Sequence, residues 1–343
     1  MVATNENPLI DVPKLKYQSI MKGTCQDDIL NAMSEYGFFY IIDIPGFDSH
    51  AELDTMKAFF NWPQETKEKY ASMKHNSNNK NVLRGYGLTR NSEGAPMEEV
   101  FNIGQYEARN ITIQDVQSRA EYISREPNIW PENANDLEGS KDFKSVLQNG
   151  FKIRMELANK LVDEVAAAMD YNEFVEKFAE GEFTSFYLKK YIAREAKDNT
   201  EIYKADSGYS MVSEDGRDLS MPSHIDTTMT LLATYSNGGL QAWYKNAWYD
   251  VPAVMNSIMM MTGSLIEELT DNKLPSLRHR VIDIKGDRYS TPFFFNPSFH
   301  ANISKSLSGK ETETGKESKT FGPWQVVQLH RDEPLLLNPT SLD

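Results

Sequence analysis

The sequence predicts a mainly β fold, an antiparallel sandwich or jelly roll with helices packed against it. From Phe183 onward the chain breaks into short apolar and aromatic runs separated by turns: "FTSFYLKKYIA", "TMTLLATY", "LQAWY", "AWYDVP", "SIMMMTG", "HRVIDI" and "TPFFFNPS". One long amphipathic helix precedes them over Lys141 to Met169, with Phe143, Val146, Leu147, Phe151, Ile153, Leu157, Leu161 and Val165 at helical spacing. The 343 residues suit one elaborated domain of this kind or two closely packed ones, and no solenoid-type repeat divides them.

The remaining elements follow in chain order. "PLIDVP" reads as a short strand. Gln26 to Tyr36 has Ile29, Leu30, Met33 and Tyr36 on one helical face, and "GFFYIID" after it reads as a buried strand. A helix carrying Leu53, Met56, Phe59 and Phe60 comes next, and Pro63 opens a second, more polar one at "QETKEKY". Residues 74–96 are rich in Asn, Ser and Gly, which predicts loops around one short strand. "SKSLSGKETETGKESK", near the C-terminus, reads as a solvated surface connection.

Composition narrows the function. The chain is 40% hydrophobic and 25% charged, an ordinary globular balance. A net charge of -14 disfavours nucleic acid and anionic membrane surfaces as partners. No apolar run approaches the roughly 20 residues that span a bilayer. The start carries no secretory pattern, and the single cysteine, Cys25, has no internal partner, so the expectation is a cytoplasmic protein.

"SHIDTTMT" places His224 and Asp226 two positions apart. On a strand, residues i and i+2 share a face, so an imidazole and a carboxylate can aim at one point. Alone, the pair also suits a structural strand histidine. Further along, "LPSLRHRVID" offers His279. Two histidines and a carboxylate make the facial triad of non-haem Fe(II), which leaves coordination positions open for oxygen chemistry. A structural zinc site would close its four positions, usually with cysteines. In "DRYSTPFFF", Arg288 and Ser290 are again i, i+2; a guanidinium fork beside a hydroxyl forms a carboxylate receptor, the alternative being a surface arginine with a turn serine.

His224-x-Asp226, His279-Arg-Val and Arg288-x-Ser290 together resemble the signature of the isopenicillin-N-synthase-like branch of the Fe(II)/2-oxoglutarate-dependent dioxygenases. "PLIDV", "AMSEYGFFYI", "FFNWPQETKEKY", "RGYG" at Arg84 to Gly87 and "GGLQAWYKNAWYDVPAV" extend the likeness over most of the chain. The resemblance implies a double-stranded β-helix core, a distorted, cupin-like jelly roll. It implies that His224, Asp226 and His279 bind Fe(II), and that Arg288 and Ser290 hold the distal carboxylate of 2-oxoglutarate with help from Tyr191, although Ile192 stands where the family has proline. Ser264 likewise replaces a usual aspartate, and the stretch between Tyr191 and His224 is longer and more polar than the family's, which points to an inserted loop. The chain is then one dioxygenase domain, 1–343: an N-terminal α/β part at 1–110, a scaffold helix at 141–180, a jelly-roll core carrying the metal site at 183–300 and a C-terminal segment at 301–343.

The implied reaction decarboxylates 2-oxoglutarate to succinate while O2 is used to oxidise a C–H bond of a small molecule. Arg84, Tyr86, Lys190, Thr228, Thr230, Phe293 and Phe295 are the expected substrate residues. Arg84 and Lys190 would suit a carboxylate-bearing substrate, such as an acidic amino-acid derivative cyclised as by kainoid synthases. Hydroxylation of a secondary metabolite is the competing expectation. Other readings are an Fe(II) oxidase of the same fold that uses no 2-oxoglutarate, and a non-catalytic binding protein. A monomer is expected.

Overall fold

The computed structural model describes residues 7–91, 94–109, 111–131, 137–193, 211–235 and 238–332. Its strands are β1 (Lys14–Lys16), β2 (Phe38–Ile42), β3 (Gly85–Arg90), β4 (Pro96–Ile103), β5 (Ser185–Tyr191), β6 (Leu219–Ile225), β7 (Met229–Thr234), β8 (Leu240–Tyr244), β9 (Ala247–Asp250), β10 (Ile258–Thr262), β11 (Arg278–Ile282) and β12 (Arg288–Phe295). They form a large sheet ordered β1-β2-β10-β7-β12-β5-β4-β3 and a small one ordered β6-β11-β8-β9. From β5 onward the chain passes back and forth between the two sheets, interrupted only by the β8–β9 hairpin. That winding is a double-stranded β-helix. Strands from the first 110 residues extend the large sheet at both of its edges.

The helices that matter here are α1 (Tyr17–Met21), α2 (Gln26–Tyr36), α3 (Ser49–Phe60), α4 (Gln64–Glu68), α5 (Arg119–Ser124), α6 (Ser140–Ala168), α7 (Glu173–Lys177), α8 (Ser264–Leu269), α9 (Glu313–Glu317) and α10 (Phe321–Asp332). None among the described residues is long and apolar enough to cross a membrane. The Gln26–Tyr36 periodicity becomes α2 as expected. Gly37 ends it at φ 75°, a conformation open to glycine, and its N–H donates to the Met33 carbonyl. The expected long helix is α6, and it packs against α3 and the back of the large sheet. Its Phe143 joins Phe59, Phe101 and Trp62 in an aromatic cluster, and its Phe151 meets Phe293 of β12 edge-on at 5.2 Å. Arg154, fully buried on the same helix, grips both oxygens of Glu52 at 2.7 and 2.8 Å and donates to Thr291 Oγ1 at 2.9 Å, which ties α3, α6 and β12 together.

Three expectations are corrected. "PLIDVP" makes only a bridge from Leu9 to Asp250, and the N-terminal strand is β1, parallel to β2. Residues 74–96 contain β3 and the start of β4 rather than one short strand. "SKSLSGKETETGKESK" is folded. Asp271 accepts from Ser306 and Ser308, Glu268 accepts from the Thr314 amide and hydroxyl, and Thr312 caps α9. Its polar residues satisfy half-buried carboxylates, which composition alone does not reveal. Most of the expected insertion between Tyr191 and His224, residues 194–210, lies outside the described residues, as do residues 333–343 of the C-terminal segment.

Candidate metal centre and active site

His224 lies near the end of β6 and Asp226 directly beyond it, while His279 comes from the neighbouring β11. The antiparallel register sets His279 opposite His224, with ring centroids 4.3 Å apart. His224 Nε2 stands 3.5 Å and His279 Nε2 3.9 Å from Asp226 Oδ1, and one ligand atom from each residue lies within 4.8 Å of the others. Each Nδ1 is engaged by a backbone carbonyl, Pro222 O at 2.8 Å and Leu277 O at 3.1 Å. With the proton on Nδ1 donating to that carbonyl, each Nε2 keeps its lone pair for a ligand. Thr230 Oγ1 donates to Asp226 Oδ2 at 2.6 Å. Among the described residues this is the one group of His, Cys, Asp and Glu side chains gathered tightly enough to hold a metal ion. Its donors are two imidazoles and one carboxylate without a thiolate, and that set fits a facially coordinated Fe(II).

Where Ser264 replaces the family's usual aspartate, the backbone does the anchoring. The Ser264 amide donates to the Asp226 carbonyl at 2.9 Å and the Leu265 amide to Thr227 at 2.8 Å. Gly263 makes this approach possible: a Cβ there would sit 2.2 Å from the Thr228 carbonyl oxygen.

Electrostatics favour a cation. Burial alone would raise the Asp226 carboxyl, but His279, His224 and the Thr230 hydroxyl together hold it well below the usual carboxylate range. Burial pushes His279 down, against the pull of Asp226. Burial opposes charging of His224 too, yet its contact with Asp226 prevails and raises it.

The large sheet supplies the facing wall. The β5–β12 register sets Arg288 opposite Tyr191 and Ser290 opposite Lys189, so all four side chains share the inner face and line one cavity with the triad. Arg288 is 2% exposed; its Nε donates to the Gly238 carbonyl at 3.0 Å and its guanidinium lies over the Tyr191 ring at 5.2 Å. Burial lowers it from its ordinary value, against the opposing influence of Tyr191.

The other expected residues divide. Thr230 lines the cavity. Arg84 is fully buried and donates to Asn102 Oδ1, Ser185 Oγ and the Thr184 carbonyl, which makes it a structural anchor. Tyr86 donates to Glu99 on the far side of the large sheet. Lys190 points the same way, toward Glu99 and Asp287. The Thr228 hydroxyl is spent on Phe295 O and Asn296. Phe293 and Phe295 pack on Phe151 and Phe178 behind the sheet. Of the expected substrate set only Thr230 lines this cavity, and for Lys190, Phe293 and Phe295 the reason is strand parity. If Arg288 and Ser290 face inward, so do Pro292 and Phe294, and if Tyr191 does, so do Lys189 and Tyr187. Lys189 and Phe294 are therefore legible from alternation alone. Lys189 donates to Glu98 at 2.9 Å; burial would lower its ammonium, but Glu98 raises it, so it enters the cavity charged.

Comparison with known proteins matches this architecture. The model for the non-haem dioxygenase in morphine synthesis N-terminal region matches residues 8–133, and that for the 2OG-Fe(II) oxygenase superfamily matches residues 197–297. Isopenicillin N synthase from Amycolatopsis lactamdurans is 26% identical over 334 residues, covering 95% of each chain. Flavonol synthase 1 from Crocosmia x crocosmiiflora is 24% identical, covering 96% of this chain and 89% of that one. Among solved structures, a full-length Neurospora crassa protein in complex with alpha-KG and 5-formyluracil superposes with a TM-score of 0.68 at 21% identity, covering 95% of this chain and 97% of that one. With both halves of the family pattern matched in chain order on a double-stranded β-helix, this chain belongs to the isopenicillin-N-synthase-like Fe(II)/2-oxoglutarate-dependent oxygenases, oxidoreductases that use Fe(II), 2-oxoglutarate and O2.

Proposed function

We propose that His224, Asp226 and His279 hold the Fe(II), that Arg288, Ser290 and Tyr191 hold the distal carboxylate of 2-oxoglutarate, and that the enzyme oxidises a C–H bond of a small molecule. The observation that carries this reading is the single cavity in which the three metal-type donors face the guanidinium and hydroxyl. Fe(II) with 2-oxoglutarate and O2 supplies the oxidising power, the co-substrate leaving as succinate and carbon dioxide. The chain's own side chains do the positioning. Thr230 orients Asp226, the Pro222 and Leu277 carbonyls orient the imidazoles, and Gly238 fixes the guanidinium. Lys189, beside Ser290 and ion-paired with Glu98, places its ammonium within the same cavity as the dianionic co-substrate.

Relatives such as isopenicillin N synthase and the 2-oxoglutarate-dependent dioxygenase tropC of Talaromyces stipitatus support a place in secondary metabolism. Hydroxylation and oxidative cyclisation both fit the site. A carboxylate-bearing substrate loses its two expected cations, since Arg84 and Lys190 are engaged away from the cavity. We also read the chain as one domain, because its N-terminal strands belong to the jelly-roll sheet, and as a cytoplasmic monomer, with Cys25 buried and unpaired. Mass spectrometry of succinate and product tests the reading. Fe(II)- and O2-dependent succinate supports it; a product with one added oxygen indicates hydroxylation, and one that has lost two hydrogens indicates ring closure or desaturation.

A further inference from the structure

A second cavity of about 240 Å³ adjoins the first and shares Asp226 and Phe294 with it. This lies below the roughly 300 Å³ at which drug-sized ligand cavities begin, which suits a small ligand. Its aromatic wall is Tyr187 and Phe294, ring centroids 5.7 Å apart and nearly perpendicular at 76°, with Phe183 beside them. Gln325 and Leu329, one turn apart on α10, line it as well.

The charge of this lining is informative. Asp226 is its one charged residue among the described ones. Arg84 stands behind it, with Asn102 and Ser185 between, and Lys74 and His75 line an adjoining recess that shares Leu83, Asn102, Tyr187 and Leu329 with it. Most of the polar groups are already satisfied by the scaffold. Asn102 donates to Leu83 O at 2.7 Å, Asn296 donates to Phe183 O at 3.1 Å and accepts from Thr228, and Ser185 donates to Phe183 O at 2.9 Å. Gln325 differs: its Oε1 is buried with no hydrogen-bond partner among the described residues. A buried acceptor left unpaired is costly, and a ligand N–H or O–H removes the cost.

We infer that this cavity receives the prime substrate, that the reacting end of that substrate is an uncharged ring carrying an N–H or O–H donor, and that Gln325 on α10 reads the donor. Asp226 is committed to the metal, and the other described lining residues offer a carboxylate no cation, whereas the inner cavity holds Arg288 and the Glu98-paired Lys189. The two cavities thus divide the charge: the anionic co-substrate within, a neutral substrate beside it. This inference rests on the proposed co-substrate site, so the test measures 2-oxoglutarate separately.

The full-length protein, loaded anaerobically with Fe(II) and 2-oxoglutarate, is titrated with 2-quinolone, N-methyl-2-quinolone and quinoline-2-carboxylate by ligand-observed NMR. Calorimetry on the same preparation gives the 2-oxoglutarate affinity, and its absence would strike the co-substrate reading rather than this one. The lactam with its free N–H is expected to bind about tenfold more tightly than either analogue. Gln325→Leu is expected to bring the N–H to N-methyl ratio to about one, while Gln325→Glu, which keeps an acceptor, preserves the preference. Tightest binding by the carboxylate, no binding by the lactam, or an unchanged ratio in Gln325→Leu would overturn the inference.

Discussion

Thr230 Oγ1 donates a 2.6 Å hydrogen bond to Asp226 Oδ2, and this leaves Oδ1 as the oxygen closest to the two imidazoles. The threonine thus chooses which carboxylate oxygen is available to a metal. Thr230→Val is expected to weaken Fe(II) or Mn(II) binding about 10- to 100-fold, the usual cost of losing a partner of a ligand. Thr230→Ser, which keeps the hydroxyl, should restore most of it. Metal titration calorimetry on the three proteins reads the effect.

Lys189 and Lys190 are adjacent in sequence and opposite in role. The first faces the cavity and the second Glu99 and Asp287. Lys189→Met is expected to weaken 2-oxoglutarate binding about tenfold or more, the worth of a charge-assisted contact, and Lys190→Met to leave it within about twofold, both read by calorimetry. Equal effects would show that parity along β5 does not decide the site.

Much of this is legible in the sequence because its signals are local. The 3.6-residue period of α2 and α6 reports the face each helix buries, and the His-x-Asp and Arg-x-Ser spacings report strand faces directly. Residue type misleads where parity should rule. Arg84 and Lys190 suggest themselves by charge and Phe293 by its ring, although alternation from Ser290 and Tyr191 already points to Phe294 and Lys189. Gln325 lies beyond reach for another reason. Nothing along the chain announces that α10 returns to the mouth of the jelly roll, since that is settled by tertiary packing.

Phe293 and Phe294 test the same parity through stability. Phe293 is fully buried against Phe151, so Phe293→Ala should cost about 3–5 kcal/mol in denaturant unfolding. Phe294→Ala, at the cavity, should cost about 1 kcal/mol and act mainly on substrate KM.

Asp215 accepts from both terminal nitrogens of Arg280 at 2.9 and 2.8 Å, and Arg280 in turn lies over Trp248 at 4.2 Å. The Arg280 hydrogen bonds hold the Asp215 carboxyl below its ordinary value. A depressed carboxyl contributes its stability above the unfolded value, about 3.9, and loses it as pH falls toward the folded one. The melting temperature of wild type should therefore exceed that of Asp215→Asn by a constant margin at neutral pH, and the margin should shrink below about pH 4. Because Asp215 is half-exposed, the margin is expected to be small and salt-sensitive.

The most direct measurement is succinate released from 2-oxoglutarate by wild type and His279→Ala under air with added Fe(II), with circular dichroism confirming that both are folded. Wild type is expected to release succinate in an Fe(II)-dependent manner, and His279→Ala none above background. Undiminished succinate from a folded His279→Ala protein would overturn the assignment of His279 as an iron ligand.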